Sequence, residues 1–178
     1  MSFDLGHITK CILEYDIGIP TSMIIGVFVC VCVAVLASFL LSTSYSAFVK
    51  FASICLFVGY LFLVLCTTIL FREDTFLTRF YLCPLWSYTD LYDRMFSQNL
   101  LNVAMFVPIG FFAGGALKKK HIWNILGIGI VLSFFIELTQ LITTRGVFNV
   151  DDIIHNTLGC VIGFGCFVFC YKLIRRIA

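Results

Sequence analysis

Hydrophobic residues fall into five long runs, at 21–41, 51–71, 99–117, 122–143 and 153–173, each bounded by short polar stretches. Each run is long enough to cross a hydrocarbon core of roughly 30 Å as a helix. The pattern predicts an all-α fold, a polytopic transmembrane helical bundle of about five spans. Asp4, Glu14 and Asp16 precede the first run against a lone Lys10. The basic start of a secretory leader is missing there, so this run is expected to stay as a helix. One long connection breaks the rhythm. In the stretch 72–98, Phe76, Phe80, Tyr81, Leu85, Trp86, Tyr88, Leu91, Tyr92 and Phe96 interleave with charges. Aromatic rings of this kind favour the headgroup level. The expectation is an interfacial segment with a short amphipathic helix on each side of Pro84, serving as an anchor or as a lid over a cavity.

Composition supports the membrane reading. The chain has 178 residues, of which 61% are hydrophobic and 12% charged, with a mean hydropathy of +1.03. A soluble domain carries about twice that charged share. Charge then orients the bundle. Lys50, Lys118, Lys119, Lys120, Lys172, Arg175 and Arg176 fall on one side, and Lys10, Arg72, Arg79, Arg94 and Arg145 on the other. The first group clusters in short loops, which places the N-terminus outside and the C-terminus inside. Topology accounts for these basic residues, so nucleic acid is not expected as a partner. The nine cysteines form no metal or disulfide framework. Cys11 and Cys83 alone are expected outside, which leaves a bridge between them open.

Polar residues interrupt the last three runs near one membrane face. Asn99 and Asn102 open the third, which then meets Pro108. Glu137 and Gln140 lie three apart near the outer end of the fourth, on one helical face. Asp151 or Asn149 suits an N-cap for the fifth. Asp152, Asn156, Gly159 and Gly163 then recur at helical spacing, and the glycine pair permits close helix contact. Arg145 stands at the mouth, within reach of Asp151, Asp152 or Glu137. An acidic side chain at the centre of an isolated membrane helix costs about 2.5–3.5 kcal/mol, so Glu137 is expected to face polar partners. Each of these residues alone is most simply helix glue. Together they predict an outward-open polar cavity. His155, one position off the stripe, reads as a helix-surface or interface residue.

The blocks "LCPLWSY", "NLLNVAMFVPIGF" and "IELTQLITTRGVFNVDDIIHNTLGCVIG" resemble the successive signatures of the VanZ-like membrane proteins. The likeness covers about residues 80–168 and carries over to Asn102, Pro108, Gly110, Glu137, Gln140, Arg145, Asp152, Asn156 and Gly159. It divides the chain into a two-span region, 1–75, and a VanZ-like region, 76–178. It implies a place in the bacterial cytoplasmic membrane and low-level resistance to teicoplanin-type glycopeptides, without implying a reaction. The ligand set expected on these grounds is Asn102, Glu137, Gln140, Arg145, Asp152 and Asn156, with no metal and no cofactor. The partners expected are membrane lipids, a lipid-linked wall precursor or a lipophilic glycopeptide; oligomeric state stays open. Two other readings compete with binding. Glu137 and Asp152 could act as an acid/base pair in an intramembrane hydrolase or transferase. The broken helix at Pro108 gives a weak hint of a transporter.

Overall fold

The computed structural model describes residues 44–72, 79–88, 93–117 and 121–177, with the single positions 27, 29, 30 and 32 before them. The described part is helical: α1 (Tyr45–Leu65), α2 (Asp93–Ala116), α3 (Ile122–Ile142) and α4 (Val150–Ile177). A π-helical turn, Cys66–Leu70, extends α1, and a 3-10 turn, Trp86–Tyr88, precedes α2. Two short strands, β1 (Phe80–Tyr81) and β2 (Phe148–Asn149), pair in parallel. Among the described residues four helices are long and apolar enough to cross a membrane. They match the second to fifth expected spans. The first expected span lies almost wholly outside the described residues, as does Cys11, while Cys83 is a free thiol.

The packing order follows from where small residues fall. α2 lies most closely on α4, α3 packs on the other side of α4, and α1 packs on α2. At the α2–α4 seam the backbones touch. A β-carbon on Gly110 would fall 1.9 Å from the Cys160 carbonyl oxygen, and one on Gly163 would fall 1.9 Å from that of Val107. Gly159 meets Val103 in the same way, at 2.3 Å. The Gly159–Gly163 pair therefore does what small residues four apart do in membrane helices, and its partner is α2. Phe106, Ile109, Ile125, Ile136 and Cys160 fill the core around this seam. Large apolar side chains such as Val58, Val131, Phe135, Ile142 and Phe169 point outward, as suits a bundle surrounded by acyl chains.

Two helix breaks have local causes. Pro108 sits inside α2 and offers no N–H, so the helix loses one hydrogen bond there. One residue from the carbonyl this frees, the Tyr60 hydroxyl of α1 donates to the Met105 carbonyl at 2.9 Å and ties the two helices together there. At the end of α1, the hydroxyls of Thr67 and Thr68 both donate to the Val64 carbonyl, at 2.8 and 2.7 Å. Such back-bonding competes with the helix ladder. The chain widens into a π turn, in which Phe71 N–H reaches back to the Cys66 carbonyl at 2.9 Å.

The aromatic connection differs from expectation. Residues flanking Pro84 form an extended pair and a 3-10 turn instead of two amphipathic helices. The strand pairing explains this: Phe148 N–H donates to the Arg79 carbonyl at 3.0 Å, and Tyr81 stacks on Trp86 with ring centroids 4.2 Å apart. A long-range partner therefore sets the conformation of this segment. Positions 73–78 and 89–92, including Phe76, Asp90, Leu91 and Tyr92, lie outside the described residues.

Candidate functional site

The starts of α2 and α4 and the ends of α1 and α3 meet at one end of the bundle, and the buried polar residues gather there. Ser87, Ser97, Asn99, Glu137, Gln140, Asn149, Asp151, Asp152, His155 and Asn156 are all buried. Glu137 is 2% exposed, which answers the question its place in an apolar run raises: it faces protein.

Asn149 organises the centre. Its backbone N–H donates to Glu137 Oε2 at 2.9 Å, and its Nδ2 donates to Asp152 Oδ1 at 2.8 Å. Its Oδ1 accepts from Asp151 N–H at 3.1 Å, which caps α4, and from Trp86 Nε1 at 2.9 Å. One residue thus bridges the two carboxylates, caps a helix and anchors the aromatic loop. Glu137 and Asp152 also act on each other electrostatically, and Arg72 acts on both.

Asp151 has a separate task. Its carboxylate accepts from Leu85 N–H, from Ser87 N–H at 3.0 Å and from the Ser87 hydroxyl at 2.6 Å. Asn99 Nδ2 donates to the same hydroxyl oxygen at 2.8 Å. Leu85 adopts a left-handed conformation, φ 63°, to offer its N–H. A second latch lies alongside. His155 Nδ1 lies 2.6 Å from the Asp151 carbonyl and His155 Nε2 lies 2.6 Å from the Tyr88 hydroxyl. A carbonyl can only accept, so Nδ1 carries a proton, and in the neutral ring Nε2 then accepts from Tyr88. The loop 79–88 is therefore fastened over the start of α4. His155 is the interface residue expected, and the interface is with this loop.

Gln140 and Arg145 reach in another direction. Gln140 Nε2 donates to the Thr68 carbonyl at 2.9 Å. Arg145 Nη1 donates to the Ile69 and Leu70 carbonyls at 2.9 and 2.8 Å. These carbonyls end the α1–π segment, where backbone oxygens lack helical partners and a cation is favoured. Arg145 Nη1 thus goes to a helix end, where Asp151, Asp152 or Glu137 was expected. The turn that positions Arg145 is a Schellman motif. Arg145 N–H bonds the Gln140 carbonyl at 2.9 Å, Thr144 N–H bonds that of Leu141 at 3.3 Å, and Thr144 is left-handed at φ 57°.

Deeper in the bundle, Asn156 Nδ2 donates to Ser133 Oγ at 2.8 Å. Asn102, on α2, directs its side-chain amide at the Asp152 carboxylate, just short of ordinary hydrogen-bond geometry. Among the described residues, Asn102 Nδ2, Gln140 Oε1, Asn156 Oδ1 and Thr157 Oγ1 are buried polar atoms without a partner. Such atoms are uncommon and costly, at about 1–3 kcal/mol each. Three of the four belong to residues singled out from the sequence.

The structure therefore brings Asn102, Glu137, Asp152 and Asn156 together and turns Gln140 and Arg145 partly toward α1. Sequence reasoning missed Arg72, Ser87 and the central part of Asn149. Ser87 sits in the "LCPLWSY" block, so its signal was present. Arg72 read only as a topological charge. Among the described residues no cluster of three or more His, Cys, Asp and Glu suits a metal ion.

Comparison with curated proteins and with solved structures gives no match. A profile of the VanZ/LLP1 family matches residues 57–172, a stretch that holds every residue of this polar cluster and more than half of the chain. A mostly helical chain with apolar spanning helices and these motif residues at one buried end agrees with that match, and the chain belongs to the VanZ/LLP1 family.

Proposed function

We propose that this chain is an integral protein of the bacterial cytoplasmic membrane that holds a lipid headgroup, or a lipid-linked wall precursor, in the polar cluster at its outer face. Through that binding it contributes to low-level resistance to teicoplanin-type glycopeptides. One observation carries the reading. Among the described residues Gln140 Oε1 and Asn156 Oδ1 are buried without partners, on the helices that carry the carboxylates Asn149 bridges. Helix glue would pair its polar atoms. Unpaired ones, held beside a carboxylate pair, suit a ligand that completes them. Arg72 takes the cationic role in the site, and Arg145 supports it from the helix end. The aromatic loop 79–88 serves as the cover.

Teicoplanin susceptibility tests this in bacteria expressing the wild-type chain, Glu137→Gln or Asn156→Ala, with membrane levels matched by immunoblot. The expected result is protection by the wild-type chain, lost in both variants. Equal protection by all three would contradict the reading.

A second reading has its own support. Glu137 and Asp152 influence each other through a buried, shared environment, the arrangement that lets one carboxyl give a proton while the other takes one. Turnover of a lipid-linked envelope substrate by the purified chain, abolished by Glu137→Gln, would raise this acid/base enzyme above the binding protein.

A further inference from the structure

We infer that residues 79–88 form a re-entrant segment: it dips below the helix ends, and its outer face lies against the acyl chains of the membrane. This surface and its lipid partner are independent of what the polar cluster holds.

The segment has two unlike faces. Leu85 N–H and both Ser87 donors go to Asp151, Trp86 Nε1 goes to Asn149, and the Arg79 carbonyl accepts from Phe148 N–H. Non-helical backbone is tolerated at membrane depth only where its polar groups are met inside the protein, and these bonds run inward as that requires. The outer face is apolar. Phe80 and Leu82 are 61% and 62% exposed, and Leu82, Cys83, Pro84 and Leu85 form four consecutive exposed positions without a charge. Contiguous apolar surface of this kind marks an interaction site.

Continuity with the wall of a spanning helix identifies the partner and sets the depth. The Phe80 ring lies 6.1 Å from that of Phe148, Phe148 lies 5.9 Å from Phe134, and Phe134 lies 6.5 Å from Phe135. Phe134 and Phe135 are exposed on α3, so these rings carry one apolar surface from the segment onto the outside of that helix. α3 stays apolar to its end, where Ile142 is exposed. Phe134 stands about 12 Å before that end along the axis, and its side chain leans toward the helix start. The Phe148 ring beside it therefore also lies below the end, and β1 pairs with Phe148 in register. Arg79, exposed where the segment begins, fits this placement because its long stem lets the guanidinium reach the phosphate level.

Photo-crosslinking in nanodiscs of dioleoylphosphatidylcholine and dioleoylphosphatidylglycerol tests this. The photoreactive residue p-benzoylphenylalanine replaces Phe80, Leu82 or, as the spanning-helix control, Phe135. Leu82 and Phe135 are almost equally exposed, 62% and 60%. Hydrocarbon over both predicts acyl-chain adducts in yields that agree within about twofold. Adducts confined to headgroups would place the segment at the membrane surface and overturn the inference. Crosslinks to a second copy of the chain, or no adduct at 80 and 82 while 135 gives one, would overturn it too. The unsubstituted chain gives a second reading, because Cys83 is a free, exposed thiol. A methanethiosulfonate bearing a sulfonate should modify Cys83 in nanodiscs at least about tenfold more slowly than in the unfolded chain, since neither the charged reagent nor the thiolate enters hydrocarbon. Modification at the unfolded rate would contradict the placement.

Discussion

Thr144 holds a left-handed backbone, φ 57°, at the turn that aims Arg145, and a β-branched residue bears that conformation at a cost of about 1–2 kcal/mol. Thr144→Gly is expected to raise the unfolding free energy by about 1 kcal/mol, read from denaturant unfolding in detergent. Asp151 works the other way, since its carboxylate is the acceptor for three loop donors. Asp151→Asn turns an amide N–H₂ toward some of them and should cost about 2–4 kcal/mol. Limited proteolysis would then cut faster within 79–88, whereas an unchanged cleavage rate would show that the loop is held by other means. Residues like these mark the boundary of what the sequence reveals. Glu137, Asp152 and Asn156 were legible because a carboxylate or amide in an apolar run must be matched, and the four-residue spacing shows which way it faces. Asn149 was legible only as a cap. Its bridging of Glu137 and Asp152 depends on β1 and β2 pairing across 68 positions, Phe80 to Phe148, and no local pattern announces that.

At the scale of elements, the seam between α2 and α4 is the feature that positions the site. It sets the depth at which Asn102 meets Asp152. Gly163→Leu drives a side chain into the Val107 carbonyl and is expected to cost more than about 3 kcal/mol, seen as loss of monodisperse protein on gel filtration. Gly127 has nothing near its β-carbon position. Gly127→Ala should leave the elution profile unchanged and raise stability by up to about 1 kcal/mol through helix propensity. The Gly159–Gly163 pair was readable as a contact motif, and helices α1 to α4 were readable as apolar runs. The π turn was not. It forms where two threonines back-bond to Val64 and where side chains more than seventy positions away, Gln140 and Arg145, take the freed carbonyls. The aromatic connection was misread for a related reason. Alternating aromatics and charges fit an interfacial helix equally well, until a strand partner across the fold decides.

For the whole molecule, the account joins an apolar exterior to a polar end. Four described helices are long enough to span, and the carboxylates, amides and Arg72 lie where two of them begin and two end. In the proposed reading that end faces the outer leaflet, and a headgroup would enter beneath the loop 79–88. The fold class followed from hydropathy alone, but the closure of the site did not. The sequence suggested an open cavity, whereas Glu137, Asp151, Asp152 and Asn156 are all buried under a fastened loop. If the cluster holds a ligand as proposed, the loop must open to admit it, and the bonds to Asp151 and the Tyr88–His155 pair are the contacts it would release.

The central claim is that these polar residues form one site that holds a lipid. Native mass spectrometry of the chain extracted directly from membranes, without added lipid, tests it most directly. The account predicts one lipid retained per wild-type chain at activation energies that strip the annular lipids, and its loss from Glu137→Gln of unchanged thermal stability. Retention of the same lipid by both chains, or by neither, would contradict it.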